Sequence, residues 1–354
     1  MKRIIISRTD RIGDVVLTTA ILQPLHEKFP QASIRLLVQP GLTPLFEDDP
    51  RVEAVACSSS EGAKGFHPTR FNKWRNYFKE HPADVIIFLH PDNDLQLAAA
   101  AAGLPRRIGY RKQLGKFGLN ESIPYTRHLG HKHEGLCNFD LLEKIGCPAP
   151  QSLRPELLLS GSGSTPAKPY AVFHPAAHGK KPRWPAAQYA DLAEELIQRY
   201  SWKIVLTGAA PSTETAQLLH QKNLPPDSWE DRGGKDSLKE TATLLKNAKV
   251  VVSRDSGPAH LAAAVGAPLV CLMGQCDPIH SPKRWAPIGK NVQTLISDLP
   301  PEKGESREDR WRRCFEAIST KQVLTAISEM IPAPMTQSRL TGWIRASRDA
   351  LLSS

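Results

Sequence analysis

The chain has 354 residues, enough for two domains of ordinary size. Its 46 lysines and arginines exceed its 36 acids by ten, a balance that favours an anionic partner such as a nucleotide, a phosphorylated lipid or an acidic membrane face. A hydrophobic content of 40% excludes a disordered chain, and six cysteines without a CxxC pair exclude a zinc site and a disulfide framework, leaving buried thiols in a reducing compartment.

Apolar runs alternate with helical segments from the first residues on. RIIIS (Arg3 to Ser7) reads as a strand, followed by a turn and a helix from Asp14 to Lys28. SIRLLV at Ser33 is a strand, with a short one near Val52 and a helix from Arg70 to Glu80. DVIIFLH at Asp84 is a strand, Asp94 to Ala102 a helix, and RIGY at Arg107 a further short strand. LSGSGSTPAKP (Leu159 to Pro169) is linker-like, and its GSGS joins no strand to a helix.

The rhythm then restarts. YAVFHP (Tyr170 to Pro175) and WKIVLTG (Trp202 to Gly208) read as strands. Pro185 to Tyr200, Pro211 to His220 and Ser237 to Lys246 read as helices. VVSRDSGPAHLAAAVGAPLVCLMG (Val251 to Gly274) is strand, turn, short helix and strand. The strand runs are continuous in Ile, Val and Leu rather than alternating, as parallel strands covered on both faces require. Two βα arrays of similar size predict two doubly wound α/β domains across a cleft. The expected division is 1–160, a linker at 161–169, 170–320, and terminal helices at 321–354 that can pack back on the first domain. The N-terminus carries only three consecutive apolar residues, too few for a signal peptide. The longest apolar stretch is broken by Gly266 and Pro268 and is short of a membrane span, so a cytoplasmic protein is expected.

Ligands of open α/β sheets bind at the carboxyl ends of the strands, and three such ends are rich in polar residues. SRTDRIGDVV (Ser7 to Val16) holds Arg8, Asp10 and Arg11, a Gly13 that permits close approach, and Asp14 at a helix start. Asp14 is either a helix cap or a general base toward a hydroxyl in the cleft. HPAAHGKKPRWP (His174 to Pro185) clusters Lys180, Lys181 and Arg183 before a helix, which suits a diphosphate. In the third, Arg254, Asp255, Ser256 and His260 surround a helix start at Gly257–Pro258, where free N–H groups suit a phosphate.

Other spacings read as structural. Asp92 and Asp94 in PDND are expected to start a helix, and His131 and His133 to belong to a basic surface. Arg106, Arg107, Arg111, Lys112 and Lys116 fall in a window without an acid and are expected to receive an anionic acceptor. No metal site and no cofactor are expected, and no nucleic-acid-binding module is recognisable.

RIGDVVLTTAIL at Arg11, KPRWP at Lys181, LTGAAPSTE at Leu206, GGKDSLKETATLLKNAKVVVSRDSGPAHLAAAVGAP at Gly233 and CFEAIS at Cys314 together resemble glycosyltransferase family 9, the lipopolysaccharide heptosyltransferases. The resemblance spans almost the whole chain. It implies a GT-B fold, two Rossmann-like domains with the active site between them. It implies an inverting transferase moving heptose from ADP-heptose to an anionic lipopolysaccharide inner-core acceptor, in peripheral contact with the cytoplasmic face of the inner membrane. It implies Asp14 as general base. Donor contacts would come from Lys181, Arg183, Thr207, Gly208, Glu214, Asp255, Ser256, Gly257 and His260. The acceptor would meet Ser7, Arg8, Arg11, Gly13, Arg106, Arg107, Arg111 and Lys112. Where the family usually has Lys two positions before the Trp, this chain has Pro182, so the phosphate role falls to Lys181 or Arg183. Two alternatives stay open: a GT-B glycosyltransferase with another nucleotide sugar, and a sugar-nucleotide-binding protein without turnover.

Overall fold

The computed structural model describes residues 1–58, 65–112, 114–161, 164–175, 182–274 and 278–332. The first lobe runs β1 (Arg3–Ser7), α1 (Ile12–Thr18), α2 (Leu22–Lys28), β2 (Ser33–Val38), β3 (Glu53–Ala56), α3 (Pro68–Glu80), β4 (Val85–Phe88), α4 (Asn93–Ala101), β5 (Arg106–Arg111), β6 (Glu121–Pro124) and α5 (Glu134–Leu142). The second runs β7 (Tyr170–His174), α6 (Ala186–Tyr200), β8 (Lys203–Leu206), α7 (Thr213–Gln221), β9 (Trp229–Asp231), α8 (Leu238–Lys246), β10 (Val250–Arg254), α9 (Gly257–Ala264), β11 (Leu269–Gly274), α10 (Pro282–Trp285), β12 (Val292–Ser297), α11 (Arg307–Glu316) and α12 (Thr320–Met330).

Each lobe is built on a six-stranded parallel sheet. The orders are β3-β2-β1-β4-β5-β6 and β9-β8-β7-β10-β11-β12, the same doubly wound topology twice. The strand order reverses between β1 and β4 and between β7 and β10, and these are the places where such sheets bind ligands. The central strands are buried along their length: Ile4, Ile5 and Ile6, Val85 to Phe88, and Val250 to Val252. Both faces are covered, which accounts for their unbroken apolar sequence. The arrangement is that of the expected GT-B fold.

The helix expected over 14–28 is divided by a 3-10 turn at Thr19–Ile21. Pro24 explains the break: it lacks the N–H that would reach Ala20, and its ring crowds that carbonyl. Three strands went unread, β6, β9 and β12. All are edge strands, paired on one side only, so nothing demands a continuous apolar run of them. Helix α5 also went unread. Trp311, Phe315, Val323 and Ile327 of α11 and α12 join the second lobe's core with Phe173 and Ile204. The segment expected to continue as terminal helices, 333–354, lies outside the described residues. No helix among the described residues is long and apolar enough to cross a membrane.

The lobes meet where α1 faces α9. A Cβ on Gly13 would lie 2.8 Å from Cδ2 of His260, and one on Gly257 would lie 3.0 Å from Cβ of Ile12. Glycine at both positions lets the two helix starts approach to backbone distance. Val15 and Val16 share one core with Ala259, Ala262 and Ala263, so apolar packing crosses the boundary. Polar ties flank it: Lys239 to Glu47 at 2.8 Å and Asp48 at 3.1 Å, and His133 Nε2 at 2.9 Å from the Ala286 carbonyl.

Candidate active site

A cavity of about 940 Å³ opens between the two switch points. Arg11, Ile12, Gly13 and Asp14 line it from the first lobe; His174, Arg183, Gly208, Glu214, Arg254, Asp255, Ser256, Gly257 and His260 line it from the second. Its size and polar–apolar lining suit a nucleotide-sized ligand.

Asp14 sits in the first turn of α1 with 8% of its surface exposed, at the edge of a buried charge cluster. Arg8 is its hub. Arg8 Nε donates to Asp10 Oδ1 at 2.7 Å, Nη1 to Asn138 Oδ1 at 3.0 Å, and Nη2 to Asp14 Oδ1 and to Glu134 Oε1, the latter at 3.3 Å. Arg127 bonds Glu134 and reaches Asn138 Oδ1 at 2.9 Å. Arg284, from the second lobe, donates through Nη2 to Glu134 Oε2 at 3.0 Å. His90 Nδ1 lies 3.3 Å from Asp10 Oδ2.

The cluster separates its carboxyls by environment. Burial pushes the Asp14 carboxyl up to about 7, with Asp10 adding to the rise, Arg8 opposing it and Glu134 adding again. Burial also acts on Asp10, but Arg8 and His90 outweigh it and hold this carboxyl well below its ordinary range. Glu134 likewise stays low because Arg127, Arg8 and Arg284 overcome its burial. One carboxyl therefore exchanges its proton near neutrality beside two fixed anions, the separation that acid–base chemistry uses.

On the opposite wall, Ser256 precedes α9 but does not cap it. Its hydroxyl donates to the Arg254 carbonyl at 3.1 Å and lies 3.1 Å from Ser253 Oγ. Ser256, Gly257 and Pro258 therefore present the positive end of the helix dipole to the cavity. His260 is buried and pushed down to about 3 by burial and by His133, so its ring is neutral. Its Nε2 is 3.9 Å from Asp255 Oδ1. Arg254 is 4% exposed, with its guanidinium 5.4 Å from the rings of Trp311 and Phe315. His174 is driven down to about 4 by burial and by Arg254.

The remaining expected residues fall into distinct groups. Arg183 lines the cavity, exposed and paired with Glu214 at 3.0 Å. Lys181 lies outside the described residues. Trp184 of the same loop is buried and donates Nε1 to the Ile318 carbonyl at 2.7 Å, anchoring the loop beside the α11–α12 junction. Gly208 lies on the cavity wall, whereas Thr207 is buried behind it, bonding the Phe173 carbonyl at 3.3 Å. Ser7 and Arg8 are sealed behind the Asp14 turn, and Arg11 and Gly13 reach the cavity.

Arg106 and Arg107 stand at the start of β5, and the cleft lies at the other ends of the strands. Arg106 forms a two-pronged pair with Glu121 at 2.6 and 2.9 Å; Arg107 donates to the Gly118 carbonyl at 2.7 Å. Arg111 is exposed at the carboxyl end, and Lys112 lies 4.1 Å from the Tyr125 ring centroid. The acid-free window thus omits the partner that follows it at Glu121.

Asp92 caps α4, accepting from Leu95 N at 3.2 Å, as the helix-start reading requires. Arg70 pairs with it at 2.6 Å. His133 is no surface histidine: its Nδ1 accepts from Gly135 N at 3.1 Å, capping α5, while His131 is exposed. No group of ligating side chains among the described residues is arranged to hold a metal ion. Reading the sequence alone missed Glu134, Asn138 and Arg284. Glu134 and Asn138 stand four apart, one face of a helix, which was the available signal. Nothing local marks Arg284.

A sequence model of glycosyltransferase family 9 (heptosyltransferase) matches residues 149–314. Lipopolysaccharide heptosyltransferase 2 of Escherichia coli K12 is 27% identical over 339 residues, covering 90% of this chain and 96% of that protein. The solved ADP-heptose lipopolysaccharide heptosyltransferase II of E. coli superposes with a TM-score of 0.73 at 23% identity, covering 93% of this chain and 98% of that one. E. coli heptosyltransferase WaaC, solved with ADP, gives 0.68 at 21% identity, covering 93% and 99%. With two Rossmann-like lobes facing one cavity and this match running through the second of them, the chain is similar to the heptosyltransferases of glycosyltransferase family 9 and is a glycosyltransferase.

Proposed function

We propose that the protein transfers heptose from ADP-heptose to a hydroxyl of a lipopolysaccharide inner-core acceptor by a single inverting displacement. The observation that carries this reading is that Asp14 of the first lobe and the start of α9 of the second line the same cavity. Asp14 takes the proton of the acceptor hydroxyl, whose oxygen attacks the anomeric carbon as the bond to ADP breaks. The diphosphate leaves against the α9 N-terminus and the cation of Lys181 or Arg183, which offset the charge it gains. A carboxyl that titrates near neutrality is matched to this task. The matched relatives are lipopolysaccharide heptosyltransferases, and one structural neighbour was solved with ADP, which supports the donor class.

The first lobe would receive the acceptor, and the second the donor. Contact with the cytoplasmic face of the membrane carrying such an acceptor belongs to the same proposal. Phe117, 71% exposed with the Lys116 ammonium over its ring, favours it.

Calorimetric titration with ADP and UDP, with release of ADP from ADP-heptose on adding acceptor, tests the reading. Tighter binding of ADP and acceptor-dependent release are expected. Preference for UDP would replace the donor; binding without release would leave a nucleotide-sugar-binding protein.

A further inference from the structure

Among the described members of the charge cluster, the first lobe supplies three carboxylates, Asp10, Asp14 and Glu134, against two guanidiniums, Arg8 and Arg127. The third guanidinium comes from the other lobe. Arg284 is 8% exposed and spans Glu134 Oε2 with Nε at 3.2 Å and Nη2 at 3.0 Å. Glu134 Oε1 is already shared by Arg8 and Arg127. The path from the second lobe to the base is therefore Arg284, Glu134, Arg8, Asp14, each step a direct bond.

The segment that carries Arg284 also borders the cavity. Ile279 and His280 line it, and Trp285 Nε1 donates to the Ile279 carbonyl at 2.7 Å, tying the cavity wall to α10. Ala286, just beyond, holds His133 at 2.9 Å. Opening the lobes would withdraw Arg284 and leave one side of Glu134 without a counter-charge. Arg8 would then be drawn toward Glu134 and away from Asp14.

We infer that Arg284 is a positioning residue for the base: by holding Glu134 from the second lobe, it keeps Arg8 committed to Asp14 and makes readiness of the base depend on closure of the two lobes. The inference rests on the reading of Asp14 as general base. Among the described residues, the charged groups acting on Asp14 are Arg8 and Asp10 of its own turn, Arg127 ahead of α5 and Glu134 of α5, while Arg11, Asp255 and His260 share the cavity lining with it. Around Arg284, among the described residues, stand Glu134 and Tyr125, with His133 and Arg127 beside Glu134. Removing Arg284 adds uncompensated negative charge to the cluster, which favours the protonated, inactive form of Asp14. Removing the charge of Glu134 does the reverse.

The test measures kcat and donor KM against pH for the full chain and for Arg284→Gln, Glu134→Gln and the double variant, with thermal unfolding confirming each fold. Arg284→Gln should move the midpoint of the rising limb up by about one pH unit, roughly a tenfold loss at pH well below the midpoint that recovers in alkali. Donor KM should change less than about twofold, because the donor wall is intact. Glu134→Gln should move the midpoint down, and in that background Arg284→Gln should have no further effect. Should the Arg284 variant fail to fold, the downward movement in Glu134→Gln alone still tests the chain of charges. A rate lowered equally at every pH with an unmoved midpoint, or a rise in donor KM alone, would overturn the inference. Failure of the base reading looks different: Asp14→Asn would then retain turnover, whatever the Arg284 profile.

Discussion

Gly13 and His260 meet across the cleft, the first from α1 and the second from α9. A methyl group on Gly13 would lie 2.8 Å from the imidazole Cδ2. The ring is buried, so it has little room to yield. Gly13→Ala should push the two helix starts apart, costing about 1–3 kcal/mol of stability as an overpacked contact. It should also lower turnover by separating base from donor. Thermal unfolding and kcat check both, and truncating the ring with His260→Ala in the same chain should restore the lost stability.

Asp14→Asn keeps the shape of the side chain and removes the base, so a loss of about 10²–10⁴ in kcat is expected. In the unaltered protein kcat should rise with pH through a midpoint near 7, because the carboxylate is the active form.

The same carboxyl links stability to pH. Its folded value, about 7, lies above its ordinary 3.8, so the native state holds a proton the unfolded chain has released between those values. Its contribution to stability is full below about pH 4 and is lost as pH rises through about 7. Chemical denaturation across that window should show a downward slope that is shallower in Asp14→Asn. Equal slopes would mean that the carboxyl is not perturbed.

In the proposed reaction, Lys181 and Arg183 are the two candidates for holding the diphosphate. Arg183 is exposed and engaged with Glu214 at 3.0 Å, a pair that is weak in solvent but occupies the guanidinium. Lys181→Ala should therefore weaken ADP by roughly tenfold, the scale of one charge-assisted contact, and Arg183→Ala by less. Titration calorimetry with ADP reads the order directly.

Phe117 is 71% exposed, with the Lys116 ammonium over its ring. Phe117→Ser should reduce sedimentation with anionic phosphatidylglycerol vesicles while leaving turnover of a delipidated acceptor unchanged. Undiminished sedimentation would remove this face from the proposed membrane contact.

The alternation of strand and helix was legible in the sequence because parallel strands buried on both faces admit only apolar residues, as in Arg3 to Ser7 and Val250 to Arg254. The place of Asp14 and of Ser256–Gly257 was legible for a related reason: the carboxyl end of a strand in such a sheet is where a helix begins and a ligand has access. Edge strands such as β9 and β12 hid because pairing on one side relaxes that demand. What only the tertiary structure decided is the electrostatic setting. Arg106 and Arg107 lie one turn of sequence from Arg111, yet strand direction puts them at the far edge of the sheet from the cleft. Arg8, Glu134 and Arg284 are separated by 126 and 150 positions and share no local pattern. A charge's environment is the sum of every group the fold brings near it, so spacing along the chain named the candidate base but could not say at what pH it gives up its proton.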